Sequence, residues 1–368
     1  MKVDIITFHN TLNYGASLQC AALSRYMTSF GHDVEVINYL PDYVMNKKSV
    51  LKEFKKAHSL RGIIKGFAYL SKAGTIRSKD KKYTDFLERN IRLTNPYHSY
   101  DDILSDVPQA DLYICGSDQI WNPSLTGDSL DKAFFLNFVS EGKSRVAYGA
   151  SVGELDFEKH RDELKKLTAG FKSISVREKT VSEKLSSVIG RNVNVVLDPT
   201  LLLNKDDYRS MELPCNVPSG KYLLLYNIQN SDLTISTAKK IAAEKNLEIV
   251  DISANPFQKI KGTTRMLNIG PGEFLTLYRN ADYVITNSFH GTVFSIVYEK
   301  NFNSVLHTTR GGRIRDLLSS LDLSDQIISE SQNDIFSDVD YASVRNKLDI
   351  LKENSLYFIN SCICDNVN

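Results

Sequence analysis

The sequence predicts an α/β protein built from two doubly wound parallel sheets. Its 368 residues exceed the size at which a single hydrophobic core normally stops growing. Short apolar runs rich in β-branched residues alternate with stretches of helical spacing. This alternation occurs in two series, separated by the segment at 214–220. Two series of strand and helix units predict two such sheets, facing each other across a cleft.

The candidate strands set the domain boundaries. The first series has strands at Val3 to Thr7, Val34 to Asn38, Leu112 to Ile114, Arg145 to Ala150, Ser173 to Val176 and Val193 to Leu197. The second has strands at Tyr222 to Tyr226, Leu247 to Ile252, Tyr283 to Ile285 and Asn303 to Leu306. We therefore predict an N-terminal domain at 1–212 with a basic helical insertion at about 45–90, a C-terminal domain at 213–340, and a terminal segment at 341–368. That last segment is predicted to be a helix that packs back across the domain junction.

Composition places the chain among ordinary globular proteins, with 42% hydrophobic and 24% charged residues. Its five cysteines are mostly isolated, which predicts a reducing compartment and neither a disulfide framework nor a metal site. The first residues run directly into a strand without a signal-peptide core, and no segment approaches the ~20 apolar residues of a membrane span. The expected location is the cytoplasm.

The segment from Lys47 to Lys82 is strongly basic. It holds twelve Lys or Arg residues against Glu53 and Asp80, a local charge of +10 in a chain of net charge +1. Apolar residues recur in it every three or four positions, which predicts an amphipathic helix or helix pair. Such a segment can lie on an anionic membrane surface, or it can be an insertion whose apolar stripe packs on its own domain. Nucleic acid is not favoured, because stacking aromatics are few and no base-reading module is recognisable.

The stretch TNSFHGTVFSIV, 286–297, places a histidine after a buried strand. Asn287 and Ser288 are good N-cap residues for a helix that follows. His290 is then expected in the first helical turn with Gly291 behind it, where unpaired backbone N–H groups and the positive end of the helix dipole favour a bound anion. Alternatively, His290 merely packs against the next strand.

Polar residues also follow two strands of the first series. In HNTLNYGASLQ, Asn13 and Gly15 open a helix, and the glycine permits close approach of a ligand. The full G-x-G-x-x-G fingerprint is absent, so a nicotinamide cofactor is not expected. In CGSDQIW, the side chains of Ser117, Asp118 and Trp121 suit a sugar, which needs hydrogen-bond acceptors and a flat apolar surface. The alternative is an Asx-turn with Trp121 in the core.

Two further strands end in AYGASVG, which contains Ser151, and in SVRE, which contains Arg177. An arginine at the start of a helix is unfavourable for the helix dipole. Arg177 is therefore expected either to serve an anion or to form a salt bridge with Glu178 or Asp198.

The motifs NYGASLQ, GSDQIW, AYGAS, ISVRE, LDPTLLL and NSFHGTVFS, in this order, resemble the polysaccharide pyruvyl transferase family. The resemblance implies a fold similar to the two-domain GT-B glycosyltransferases. It also implies transfer of the enolpyruvyl group of phosphoenolpyruvate onto two hydroxyls of a sugar, which forms a pyruvate ketal and releases phosphate. No metal or redox cofactor is required in principle.

The resemblance also assigns residues. Arg177 falls on the arginine of the family motif S-x-R-E, which would clamp an acidic group of the donor, and His290 falls on the motif histidine near the donor. Some members carry arginine where this chain has Ser288, so Arg313 or Arg315 is a candidate for the missing charge. We expect His290 to be the general acid or a donor to the leaving phosphate, and Asp118 to be the base. The full expected site has donor-binding Arg177, Asn287, Ser288, Gly291 and Arg313, and acceptor- or cleft-lining Asn13, Gly15, Ser117, Trp121 and Ser151.

Two other functions fit the same architecture. One is a GT-B glycosyltransferase that uses a nucleotide sugar, and the other is a carbohydrate-binding protein without catalytic activity. For a pyruvyl transferase, the expected acceptor is a sugar in a polysaccharide or its lipid-linked precursor. The enzyme would then work at the inner face of the membrane, with residues 47–82 as the candidate contact to anionic lipid.

Overall fold

The computed structural model describes residues 1–45, 73–253, 259–306, 311–329 and 338–364. The chain divides into two compact units. Within the described ranges, the first unit holds residues 1–45, 83–203 and 350–364, and the second holds 73–82 and 204–349 apart from the gaps. The division falls inside two helices, so the predicted boundary at 212 and the packing of the terminal segment stay predictions.

The first unit is built on a seven-stranded sheet in which neighbouring strands run parallel. The strands are β1 (Lys2–Ile6), β2 (Asp33–Tyr39), β3 (Leu93–Tyr97), β4 (Leu112–Cys115), β5 (Ser144–Ala150), β6 (Ser173–Val176) and β7 (Asn194–Val195). Their order is β3-β2-β1-β4-β5-β6-β7. The helices are α1 (Tyr14–Ser29), α2 (Asp42–Met45), α3 (Ala73–Asn90), α4 (Tyr100–Ser105), α5 (Arg161–Thr168) and α6 (Lys179–Ile189). The first ten residues of α3 belong to the second unit.

The second unit is built on a six-stranded parallel sheet with the order β10-β9-β8-β11-β12-β13. The strands are β8 (Tyr222–Tyr226), β9 (Glu248–Asp251), β10 (Thr264–Arg265), β11 (Tyr283–Thr286), β12 (Asn301–Val305) and β13 (Ile327–Ile328). The helices are α7 (Asp232–Lys245), α8 (Pro271–Asn280), α9 (Phe289–Val297), α10 (Gly312–Ser320) and the first nine residues of α11 (Tyr341–Cys364). Residues 350–364 of α11 belong to the first unit. The predicted class of two doubly wound, Rossmann-like sheets is confirmed, while a cleft between them stays a prediction.

Burial explains which strands the sequence revealed. Every residue of β4 and of β8 is buried, as expected for central parallel strands with helices on both faces, and such strands appear as continuous apolar runs. The three strands that the sequence pattern missed, β3, β10 and β13, all lie at sheet edges. β3 contains Pro96, which has no N–H to donate, and β10 and β13 have only two residues each. Edge strands this short or interrupted carry no apolar periodicity.

The basic insertion is described only in part, because residues 46–72 lie outside the described ranges. Its predicted helix pair and membrane contact therefore stay predictions. Residues 73–82 begin α3, and there the ammonium of Lys82 lies 2.5 Å from the carboxylate of Glu273 and donates to the carbonyl of Asn268. Lys82 is thus engaged within the second unit. None of the described helices combines the length and apolar character needed to cross a bilayer.

Four cysteines, Cys20, Cys115, Cys215 and Cys362, are free thiols. Cys20 and Cys115 are completely buried, and burial raises the pKa of both thiols far above the ordinary value. Cys115 ends β4, immediately before the turn that carries Asp118.

Candidate active site

Both sheets have the strand order in which the chain reverses its winding direction between the two central strands. In the first unit this switch point lies between β1 and β4, and in the second between β8 and β11. Ligands of doubly wound sheets bind at the carboxyl ends of the strands at such a point. The first switch point carries the GSD turn of residues 116–118, and the second carries the start of α9 with His290.

The turn after β4 has an unusual backbone. Gly116 has φ +110°, and a Cβ at this position would lie 2.3 Å from the carbonyl oxygen of Tyr148. Asp118 has φ +73°, the left-handed region that aspartate and asparagine tolerate best among residues with a side chain. Glycine is therefore required at 116, and the turn places Asp118 at the carboxyl end of β4.

A chain of hydrogen bonds fastens this turn to the end of β1. The hydroxyl of Thr7 donates to the carbonyl of Ser117 at 2.8 Å, the amide of Gln19 donates to the Thr7 hydroxyl at 2.9 Å, and the N–H of Ser117 donates to the Gln19 side chain at 3.1 Å. The hydroxyl of Ser117 donates to the carbonyl of Gly149. Ser117 is completely buried and holds the frame of the site.

Arg177 lies among three carboxylates, Asp118, Glu178 and Asp198, which we call the acidic cluster. Its guanidinium lies 2.5 Å from Asp198 and 3.6 Å from Asp118, and its side chain is 3% exposed. Burial alone would lower the pKa of Arg177, but the charges of Asp198, Glu178 and Asp118 raise it. Glu178 in turn accepts a hydrogen bond from the hydroxyl of Ser151 at 2.6 Å. The salt-bridge alternative for Arg177 is confirmed, and its direct contact with a donor stays a prediction.

A cavity of about 270 Å³ lies beside Asp118. Its lining is formed by Phe8, Thr11, Leu12, Asn13, Ala16, Val44, Asp118 and Leu125. The predicted helix starts here as α1, and Asn13 is its N-cap: its side chain accepts from the N–H groups of Gly15 at 2.9 Å and Ala16 at 3.4 Å. Gly15 is buried in the first turn of α1 behind this cap. We call this space the first-unit cavity.

Trp121 lies in the core. It is 0% exposed, its ring stacks on Phe135 with 4.7 Å between centroids, and its indole N–H donates to the carbonyl of Phe134. This geometry matches the core alternative and leaves no ring face for a sugar in this structure.

At the second switch point, α9 begins directly after β11. Ser288 is the N-cap, and its hydroxyl accepts from the N–H of Gly291 at 3.3 Å. A Cβ on Gly291 would lie 2.2 Å from the hydroxyl of Thr286, so glycine allows the helix to start against the strand. His290 lies in the first helical turn, as the sequence predicted, and is 6% exposed.

Asn287 joins the two central strands of the second sheet. Its side-chain oxygen accepts from the N–H of Ile228 at 2.8 Å, and its amide donates to the side chain of Asn227 at 2.6 Å and to Thr234 at 3.3 Å. The residue is 2% exposed. Asn287 therefore links the segments that follow β8 and β11, as Gln19 links those that follow β1 and β4 in the first unit.

The ring of Phe289 contacts both His290 and a cationic side chain. The ring of Phe289 meets the imidazole edge-on, with 5.2 Å between centroids and 80° between planes. The guanidinium of Arg313, on α10, lies 5.3 Å from the centroid of the same ring. One aromatic ring thus supports both groups, which supports Arg313 as the candidate for the charge that Ser288 does not supply.

The comparisons with known proteins decide the family. A model of the family described as polysaccharide pyruvyl transferase matches residues 13–307. The chain belongs to this family. No curated protein matches significantly.

Among solved structures, the family member is similar to a putative UDP-N-acetylglucosamine 2-epimerase from Listeria monocytogenes, with 11% identity over 96% of this chain and 89% of that one and a TM-score of 0.48. A UDP-GlcNAc 2-epimerase from Methanocaldococcus jannaschii has 11% identity over 96% and 93% of the chains and a TM-score of 0.47. An α-glucosyltransferase in complex with UDP and DNA has 9% identity over 100% and 98% and a TM-score of 0.47.

The sequence did not single out several residues of this pyruvyl transferase family member. Thr7 and Gln19 hold the first switch point, and five apolar or hydroxyl residues, Phe8, Thr11, Leu12, Val44 and Leu125, line the cavity. Gln19 ends the NYGASLQ motif, and this motif could have indicated it. The lining residues are of ordinary types, and no sequence motif marks them as part of a site. In the described part of the chain, no group of three His, Cys, Asp or Glu residues could hold a metal ion.

Proposed function

We propose that the protein transfers the enolpyruvyl group of phosphoenolpyruvate to two hydroxyls of a sugar in a polysaccharide or its lipid-linked precursor. The observation that carries the proposal is the family match over 13–307, within which the motif histidine lies in the first turn of a helix at the second switch point. A helix start at this place favours an anionic substrate, and phosphoenolpyruvate carries a carboxylate and a phosphate.

The reaction balances without an external oxidant or reductant. A proton is added to the methylene carbon of phosphoenolpyruvate, which makes the neighbouring carbon electrophilic and the methylene a methyl group. The oxygen of one sugar hydroxyl bonds to that carbon and loses its proton. The C–O bond to phosphate then breaks, and the oxygen of the second hydroxyl closes the ketal as its proton leaves. Two hydroxyl protons are lost, which balances one proton gained by the methyl carbon and one by the phosphate.

We assign the donor to the second unit. His290 would supply the proton to the methylene carbon or donate to the leaving phosphate, since histidine is the side chain that most often transfers protons in enzymes. Arg313, placed on the same aromatic ring, would neutralise charge on the phosphate. Ser288, Asn287 and Gly291 set the start of α9, so that the first-turn N–H groups are held in place.

We assign the acceptor to the first unit. Asp118 lines the cavity there and would take the proton of the attacking hydroxyl. Arg177, at 3.6 Å, would hold that carboxylate in position. Asn13, Gly15, Ser117 and Ser151 support the walls of this site through the hydrogen bonds described above.

A product assay tests the proposal against both alternatives. The purified protein is incubated with phosphoenolpyruvate and a panel of sugar acceptors, and separately with nucleotide sugars. We expect phosphate release coupled to a ketal product whose methyl group carries deuterium when the reaction is run in heavy water. Consumption of a nucleotide sugar without phosphate release from phosphoenolpyruvate would replace the proposal by glycosyl transfer. Sugar binding without any turnover would replace it by a binding function.

A further inference from the structure

The first-unit cavity is more apolar than a plain sugar requires. Five of its eight lining residues, Phe8, Leu12, Ala16, Val44 and Leu125, are hydrocarbon in character. A sugar ring with only hydroxyl substituents would place polar groups against most of these five side chains. Their burial would then contribute little to the free energy of binding. The volume of about 270 Å³ is just below the roughly 300–1,000 Å³ of sites for drug-sized ligands, so one saccharide unit fills it.

The walls of the cavity are held in place by contacts outside it. Phe8 packs edge-on against Phe134, with 5.0 Å between ring centroids. Val44 lies on α2, which is fastened by a hydrogen bond of 2.5 Å from the hydroxyl of Tyr43 to the carboxylate of Asp131. Preformed walls lower the entropic cost of binding a small group.

One polar group in this lining has no hydrogen-bond partner among the residues that the structure describes. The hydroxyl oxygen of Thr11 is buried and makes no hydrogen bond to the described residues. A buried hydroxyl in this condition is destabilising, and a ligand acceptor such as an amide carbonyl would satisfy it. The cavity therefore combines an apolar wall, one unused donor at Thr11 and a carboxylate at Asp118.

We propose that the first-unit cavity selects an acceptor sugar that carries an acetamido group. This inference rests on the proposed function and specifies its acceptor. The acetamido methyl lies against the apolar wall, its carbonyl accepts from the hydroxyl of Thr11, and a ring hydroxyl reaches the carboxylate of Asp118. Burying one methyl favours binding by about fourfold and one neutral hydrogen bond by about fivefold, so the preference over the hydroxyl analogue is roughly 20-fold.

Matched sugar pairs test the proposal by binding and by turnover. The probes are the methyl β-glycosides of glucose, galactose and mannose, each compared with its 2-acetamido counterpart. Saturation-transfer NMR should show the acetamido methyl as the most strongly saturated group of at least one pair. In the phosphate-release assay, the same acetamido sugar should exceed its hydroxyl analogue in kcat/KM by about 20-fold.

Variants locate the effect. Thr11→Val keeps the shape of the side chain and removes its donor, so affinity for the acetamido sugar should fall about fivefold and affinity for the hydroxyl analogue should not change. Leu12→Ala should weaken methyl saturation and serves as a second readout of the same wall. Thr180→Val, at an exposed position on α6, is the matched control and should leave both affinities unchanged.

Each outcome decides one of the two proposals. Equal binding and turnover of both members of every pair, or no saturation of any acetamido methyl, would overturn the acetamido inference; phosphate release with the hydroxyl sugars would meanwhile leave pyruvyl transfer intact. Selective methyl saturation that depends on Thr11 without any phosphate release would support the acetamido site and contradict the proposed function.

Discussion

The two sheets have the same strand arrangement around the switch point and differ in the side chains that follow the strands there. In both, the last residue of the first strand pairs with the last residue of the fourth strand in the sheet: Ile6 with Cys115, and Tyr226 with Thr286. Beyond these pairs, the first unit gathers carboxylates around one arginine, whereas the second gathers an imidazole, hydroxyls, amides and an arginine. In folds of this class, the strand arrangement determines where a ligand binds, and the few residues that follow each strand determine which ligand is bound.

The contacts that fix the carboxyl ends of the central strands also correspond in the two sheets. A side-chain amide bridges the two central strands in each unit, from Gln19 in the first and from Asn287 in the second. A glycine permits a close backbone approach in each, at Gly116 and Gly291, where a Cβ would meet another atom at 2.3 and 2.2 Å. Because the frames match, equivalent substitutions on the two sides can separate donor chemistry from acceptor chemistry.

The largest effect is expected at the second switch point. His290→Gln keeps hydrogen-bonding capacity but cannot titrate, so kcat should fall by roughly 10² to 10⁴ while KM for phosphoenolpyruvate changes far less. Steady-state phosphate release measures both constants. His160→Gln, in the first unit and next to Glu163, is the control and should behave as wild type. Near wild-type turnover of the His290 variant would show that His290 does not transfer a proton in the reaction.

At the first switch point, Asp118→Asn should lower kcat by roughly 10² to 10³, because an amide cannot accept the hydroxyl proton. Asparagine tolerates the left-handed backbone at φ +73°, so the turn should persist. The matched control is Asp128→Asn, at an exposed position with φ +63°. If the variant lost affinity for phosphoenolpyruvate instead of turnover, the acceptor assignment of the first unit would be wrong.

A third difference lies in the middle of the central strands. Asp4 of β1 pairs with Tyr113, and the equivalent residue of β8, Leu224, pairs with Val284. Asp4 is fully buried, its carboxylate makes no hydrogen bond within the described structure, and burial raises its pKa from 3.8 to about 7. The second sheet carries a hydrocarbon where the first carries a titratable group.

This difference predicts a pH-dependent stability. The folded protein holds the Asp4 proton up to about pH 7, whereas the unfolded chain releases it near pH 3.8, so the free energy of unfolding falls as pH rises through that window. Asp4→Asn removes the penalty and should stabilise the protein by roughly 2 to 4 kcal/mol at pH 8 but not near pH 3. Urea denaturation at both pH values measures the gain. A gain that did not depend on pH would contradict this assignment.

The smallest effect is expected for Arg177→Lys, at about 1 to 3 kcal/mol in transition-state stabilisation. A lysine ammonium cannot reproduce the two contacts with Asp198 and Asp118. We expect lower kcat/KM for the acceptor, with KM for phosphoenolpyruvate unchanged. If the change instead appeared in KM for phosphoenolpyruvate, Arg177 would be a donor clamp, as the family resemblance implies, and the division of labour between the units would need revision.

The sequence predicted the central part of each sheet and the place of His290, because buried parallel strands and helix caps leave local signals. Ser288 caps a helix in the structure as expected, and a helix opens at Asn13 as expected. It could not choose between the alternatives for Trp121 and Arg177, because both depend on partners far away in the chain. Thr11 and Val44 of the cavity are 33 residues apart and belong to ordinary types, so only folding brings them to one wall. Local patterns thus locate strand ends, and tertiary contacts decide what each end does.

The buried thiol of Cys115 makes the first switch point open to chemical monitoring. The residue ends β4, one position before Gly116, and its pKa is raised well above 9, so in the folded state it is both shielded and protonated. Alkylating reagents attack the thiolate, and labelling of Cys115 therefore requires the strand end to open. Thr286 occupies the equivalent place in the second sheet. The rate at which Cys115 itself is alkylated, with and without an acceptor sugar, therefore measures how often the carboxyl end of β4 opens.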